Sequence, residues 1–196
     1  MDPHTLRLRR VLWLLGELIG PEEPDGPRRF ARESSVHALF FTASKARLLP
    51  YDTAPVLHLW HGDTRYVQLS QEGIEDLVEL ERRELIQRLE LAGMDHDLLS
   101  AFRVTTEGRR EALELGGNER DELTPLVRCD CGGRLEYKTS RTAAWTVCPK
   151  CRRRVEIPCL DFPAVPYVSR ARFCKLLPLE YKVERKRSEE HTSELQ

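Results

Sequence analysis

The sequence predicts an α+β protein, a helical domain carrying β-hairpins followed by a small β unit built on two cysteine pairs. Three observations predict it. Apolar residues recur at helical spacing between Thr5 and Ile19 and again after Ser70, while runs with strand-like alternation, bounded by turn residues, lie between the helical segments. Four of the six cysteines stand close in pairs, as Cys129-Asp-Cys131 and Cys148-Pro-Lys-Cys151.

The elements follow in order. Leu6, Leu8, Leu12, Leu15 and Ile19 fall near helical spacing with Arg7, Arg9 and Arg10 between them, an amphipathic pattern. Residues 20–27, Gly-Pro-Glu-Glu-Pro-Asp-Gly-Pro, cannot continue that helix, because the prolines remove donors and the glycines free the backbone. Residues 1–29 are therefore read as an N-terminal helix and a Pro-rich linker. A second helix is expected from Arg32 to about Phe41, extending toward Leu49, with Pro50 closing it. A hairpin is expected from Val56 to Leu69 with its turn at His61-Gly62-Asp63-Thr64. Ser70 is placed to cap a helix that runs to about Arg83 and buries Ile74, Leu77 and Val78. Two β-like runs follow, Leu85 to Leu91 and Ala101 to Thr105, joined by Gly93-Met94-Asp95-His96-Asp97. A short helix from Glu107 to Leu115 then ends at Gly116-Gly117.

Helix, strand, turn, strand, helix is the closing half of a winged-helix domain. Leu77 to Leu89 (LVELERRELIQRL) and Phe102 to Leu115 (FRVTTEGRREALEL) resemble the recognition helix, wing and following helix of MarR- and PadR-like regulators. In those families an L-x-x-x-G-L-I step enters the wing and T-x-x-G-R leaves it. Here Glu84 stands where the glycine is usual, and Thr106-Glu107-Gly108-Arg109 supplies the exit. The resemblance covers roughly residues 70–115 and implies a winged-helix domain over residues 30–117. The first half of such a domain is not traceable in residues 30–69.

Sixteen residues separate Cys131 from Cys148. Four soft thiolates converging in two pairs suit Zn²⁺, whose structural sites are tetrahedral and closed, with Zn–S distances of about 2.3 Å. Cys129, Cys131, Cys148 and Cys151 are the expected ligands of one structural zinc ion, and Gly132-Gly133 lets the chain pass close to the sulfurs. Leu135 to Thr139 and Trp145 to Val147 alternate as the arms of a hairpin between the pairs. The whole, residues 125–160, resembles a zinc ribbon whose first pair is C-x-C where C-x-x-C is usual. A thioredoxin-like redox pair at Cys148 and Cys151 lacks its βαβ surroundings. A zinc deaminase would need H-x-E and an open coordination position, which four thiolates do not leave. Cys159 and Cys174 remain, read as ordinary thiols or substitute ligands.

The formal net charge of −1 hides an asymmetry. Residues 1–124 carry 16 Lys/Arg against 23 Asp/Glu, whereas residues 125–186 carry 14 against 6. Lys150, Arg152, Arg153 and Arg154 form the strongest basic run, with Lys138 and Arg141 beside it, and these six are the candidate phosphate contacts to DNA or RNA. Two other readings stand beside that one: cations offsetting the charge of a tetrathiolate site, and attraction to an acidic protein surface. Trp145 and Tyr137 either stack on bases or cover the metal. From Ser70 to Glu84 the helix is acidic, which opposes entry into a DNA groove and leaves a solvated face or a docking surface for a basic partner.

No nucleophile elbow, P-loop or dinucleotide fingerprint is present, the histidines lack paired-ligand spacing, and a non-enzymatic role is expected. Domain order, a winged helix and then a ribbon, is also that of the transcription factor E family and its relatives. That similarity implies a nucleic-acid-associated, transcription-type protein; a protein-interaction adaptor and a fragment of a larger protein are the alternatives. No apolar run approaches the roughly 18 residues of a membrane span, so no membrane partner is expected and the chain is read as intracellular, cytoplasmic or nuclear. The last ten residues, RSEEHTSELQ, resemble the translation of a sequencing adapter, so residues 187–196 are set aside as an artefact and residues 161–186 are read as a C-terminal extension.

Overall fold

The computed structural model describes residues 2–21, 28–92 and 98–160. The linker residues 22–27, the wing-tip residues 93–97, Cys174 and the readings of 161–186 and 187–196 lie outside the described residues. The described elements are α1 (Pro3–Ile19), β1 (Ala31–Arg32), α2 (Glu33–Lys45), β2 (Ala54–Trp60), β3 (Asp63–Leu69), α3 (Gln71–Arg82), β4 (Ile86–Ala92), β5 (Leu98–Val104), α4 (Thr106–Leu113), α5 (Gly117–Val127), β6 (Glu136–Thr139), β7 (Ala144–Val147) and β8 (Arg154–Ile157). The fold is α+β, with all sheets small and antiparallel: β1-β5-β4, β2-β3 and β6-β7-β8. β1 is the piece that sequence periodicity could not supply. Its two residues pair with Phe102 and Ala101 and give the wing a third strand between α1 and α2, an order compatible with a winged helix followed by a ribbon.

Helix α1 begins on Asp2, whose carboxylate accepts from the Thr5 N–H at 2.9 Å, with Pro3 in the first turn where a missing donor costs nothing. It ends at Gly20, where φ of 87° requires glycine. Leu8, Val11, Leu12, Leu14, Leu15 and Ile19 are all buried, a wider stripe than the sequence pattern marks, because α1 packs against α3, α4, α5 and β5 at once. Its arginines tie those neighbours down. Arg7 forms a two-pronged ion pair with Asp76 of α3 (2.7 and 2.8 Å), Arg9 pairs with Glu111 of α4, and Arg10 reaches Glu122 of α5 and the Leu48 carbonyl.

Ser70 caps α3 as expected, its hydroxyl accepting from the Gly73 N–H at 3.1 Å. The buried face differs from expectation. Leu77 and Leu80 are buried and Ile74 is half-buried, whereas Val78 is 54% exposed. Asp76 occupies the inward position instead, 1% exposed, where it accepts from Arg7 and from the Tyr51 hydroxyl at 2.7 Å. A carboxylate with both partners in place can be buried without a large penalty, which apolar periodicity cannot anticipate. Burial, with Asp76 alongside, pushes the Tyr51 phenol above its ordinary range, and Asp76 likewise raises Arg7.

The hairpin turn falls at His61 and Gly62, with φ of 50° and 81°, the pair of positive values that suits the twist of a tight hairpin. The wing exit has an equally local cause. Thr105 accepts from the Gly108 N–H at 3.0 Å to cap α4, and a Cβ on Gly108 would lie 2.0 Å from the Leu85 carbonyl oxygen. Gly116 then caps α5, a helix the sequence reading stopped short of, and Pro125 in its last turn leaves one helical hydrogen bond unmade.

A single hydrophobic cluster joins α1, α2 and the wing to Tyr137, Ala144, Ile157 and Cys159 of the ribbon. Polar contacts reinforce it: Ser35 donates to the Tyr137 carbonyl (2.9 Å), Ser34 and Thr139 share a hydrogen bond (2.8 Å), and the Trp60 indole N–H donates to the Ser140 carbonyl (2.8 Å). Among the described residues, no helix is long and apolar enough to cross a membrane.

Candidate metal centre

Two chain reversals bring the cysteines together, and they share one backbone frame. In the first, the Cys129 carbonyl accepts from the Gly132 N–H (2.7 Å) and the Cys129 N–H donates to the Gly133 carbonyl (2.8 Å). In the second, the Cys148 carbonyl accepts from the Arg152 N–H (2.7 Å) and the Cys148 N–H donates to the Arg153 carbonyl (2.9 Å). Each reversal places a left-handed residue directly after its second cysteine, Gly132 at φ 77° and Arg152 at φ 62°. The C-x-C pair thus closes the same frame with one residue fewer. The two glycines act differently from each other: Gly132 supplies the positive φ in open space, while a Cβ on Gly133 would lie 2.7 Å from the Cys148 sulfur.

The Sγ atoms of Cys129, Cys131, Cys148 and Cys151 all lie within 4.8 Å of one another. Cys129 and Cys151 are 3.6 Å apart and Cys131 and Cys148 3.4 Å. A tetrahedron with Zn–S bonds of about 2.3 Å has edges of about 3.8 Å, so the four sulfurs fit one zinc ion with small adjustments. The sulfurs also influence one another's acidity. The backbone N–H of Cys151 is the largest influence holding Cys148 down at about 7. The Arg153 N–H favours the Cys151 thiolate too, yet the sulfurs of Cys129, Cys131 and Cys148 outweigh it and push Cys151 up to about 12. Sulfurs this close resist becoming thiolates together, so protons are held on some of them while no cation is bound. Cys159 is buried in the core and stands outside the cluster.

Around the sulfurs the ribbon has three strands, since β8 adds to the expected hairpin by pairing with β7. The basic residues are spread over it. Lys150 donates to the Cys131 carbonyl (2.8 Å) and Arg153 pairs with Asp130 (2.8 Å), so each links one reversal to the other. Arg154 lies over the Trp145 ring, its guanidinium carbon 4.2 Å from the centroid. Lys138 pairs with Glu136 (3.0 Å), while Arg141 and Arg152 are exposed. All six keep exposed side chains despite these contacts. Tyr137 is not available for stacking on a base: it is buried, and its hydroxyl donates to the Leu126 carbonyl at 2.7 Å.

The model of the uncharacterized protein MJ1567 family matches residues 9–146, from within α1 to the middle of the ribbon. No curated protein and no solved structure matches the chain.

Proposed function

Starting from a chain that belongs to the uncharacterized protein MJ1567 family, we propose that it is a non-enzymatic, nucleic-acid-associated protein of transcription type whose ribbon is held by one structural zinc ion. The convergence of four sulfurs within 4.8 Å carries the zinc part of this reading. Four thiolates complete a tetrahedral shell and leave no position for a reacting water, so the metal's role is to hold the ribbon. Nucleic-acid contact rests on the cations gathered beside that metal. Lys150 and Arg153 approach it through their links between the reversals, and Arg152 and Arg154 flank them. An exposed pair such as Arg153 with Asp130, which is 91% exposed, gives up little when a phosphate replaces the carboxylate.

An adaptor role is the second reading, favoured by α3. Val78 lies exposed between Glu75 and Glu81, an apolar spot in an acidic face suited to a basic partner. The test is metal content and salt dependence on the whole chain. Protein made in zinc-replete, reducing conditions should carry about one zinc, and Cys148→Ser should lose it. If Lys150, Arg152, Arg153 and Arg154 each neutralise a phosphate, the logarithm of affinity for duplex DNA or RNA should fall against the logarithm of salt with a slope of about −3 to −4. Changing all four to Gln with zinc retained should flatten that slope. Unchanged binding, or none at low salt, overturns the nucleic-acid reading and leaves the adaptor.

A further inference from the structure

Strand β2, Ala-Pro-Val-Leu-His-Leu-Trp, carries no acidic or basic side chain apart from His58, in a chain that is 32% charged. Val56, Leu57 and Leu59 are 45%, 59% and 51% exposed. Its one strand partner among the described residues is β3, and no described strand pairs with its other edge. The far edge of β3 is occupied in part, because Gln68 donates to the Cys159 carbonyl (2.9 Å). Edge strands of this kind ordinarily carry charges or are covered, since a row of free N–H and C=O groups recruits other strands.

Pro55 tells which groups point outward. Within the ladder Pro55 stands opposite Gln68, and a proline in a paired strand turns its nitrogen away from the partner. The register is continuous from Ala54 to Trp60, so Leu57 and Leu59, two and four residues on, also turn their N–H and C=O groups to the free edge. On the face that holds Leu57 and Leu59 the cross-strand neighbours are Tyr66 and Thr64, with Pro55 and Gln68 beyond them, and none is charged.

We infer that β2 pairs antiparallel with β2 of a second copy of this chain, joining two hairpins into one four-stranded sheet about a two-fold axis at Leu57. A neutral strand meets itself without like-charge repulsion and offers nothing to a partner chosen by charge, and this favours a second copy. Leu57 faces its own copy and exchanges two hydrogen bonds. Each Leu59 N–H donates to the other copy's Pro55 carbonyl, and the missing Pro55 donor ends the pairing there. Such a contact lies at the small end of protein interfaces, below about 1,200 Å², so the dimer forms and dissociates with concentration in the micromolar range.

Sedimentation equilibrium of the zinc-loaded full chain under reducing conditions tests it. A monomer–dimer equilibrium is expected on the order of 5 to 500 μM, the range of weak, transient contacts. Leu57→Lys should shift it at least tenfold toward monomer. Leu57→Pro removes only an outward N–H, leaves the β2–β3 ladder its donors, and should do the same with zinc content and circular dichroism unchanged. Should either variant fail to fold, amide exchange on the unaltered chain decides, with Leu57 and Leu59 protected at high concentration and exchanging on dilution. A chain monomeric throughout, a dimer indifferent to both substitutions, or exchange independent of concentration overturns the inference.

Discussion

Glu84 holds φ at 59°, a left-handed conformation that strains any residue with a Cβ, at the step from α3 into β4. Its side chain is exposed and the local bonds are made by its backbone, the N–H donating to the Glu81 carbonyl and the carbonyl accepting from the Thr105 hydroxyl. Nothing is lost with the side chain. Glu84→Gly should therefore raise stability by about 0.5–1 kcal/mol, after the added freedom of the unfolded chain is subtracted. The same change at Glu75, inside α3, should lower it by about 1 kcal/mol. Urea unfolding of the two variants checks this, and a loss at both positions would show that the left-handed geometry is not maintained in solution. Features of this size were the most legible in the sequence. The cap residue Ser70, the glycine at 108 and each cysteine pair act over two to four residues, so spacing carries their local geometry; the cap of α4 falls on Thr105, which the sequence reading placed at the end of a strand.

Between elements, the buried contact of Asp76 with Arg7 is the least legible one. Nothing in the spacing of α3 distinguishes Asp76 from Glu75 or Glu79, yet Asp76 is buried against Arg7 and Tyr51 while Glu79 is half-buried, held by Arg82 and Arg83 and pulled down to about 2. The choice depends on α1, sixty-nine residues away in sequence. Asp76→Asn should cost about 3 kcal/mol, since it leaves a guanidinium between α1 and α3 without its counter-charge. Denaturant unfolding reads the effect, and a loss below about 1 kcal/mol would mean that the pair adds no more than a surface ion pair. The exposure of Val78 has the same origin. With Asp76, Leu77 and Leu80 turned inward, the helix leaves Val78 on the outer side. Strands β1 and β8 escaped notice for different reasons: two residues are too short to display a period, while β8, as long as β6 and β7, begins inside the basic run that ends at Arg154 and was read there as charge.

At the scale of the molecule, the ribbon and the helices do not have separate cores. Tyr137, Ala144 and Ile157 belong to the same cluster as Leu12 and Leu39, and Trp60 is bonded to the ribbon's Ser140. Metal binding at such sites is worth on the order of 10–16 kcal/mol, comparable with a domain's whole stability of about 5–15 kcal/mol. Stripping metal with a strong chelator should therefore lower the unfolding temperature of the helices together with that of the ribbon. Far-ultraviolet circular dichroism and tryptophan fluorescence should report one transition; a helical signal that melts at its original temperature while the ribbon is lost would separate the two. The position of α1 has a further consequence, for the chain as it is made. The surfaces that cover its leucines lie mostly on α4, β5 and α5, about a hundred residues downstream. At about 5–20 residues per second, a ribosome takes roughly 5–20 seconds to supply them. During that interval the first helix of the nascent chain is a greasy segment without a home, and the growing polypeptide depends on chaperones or on its own flanking arginines to stay in solution until its last partner emerges.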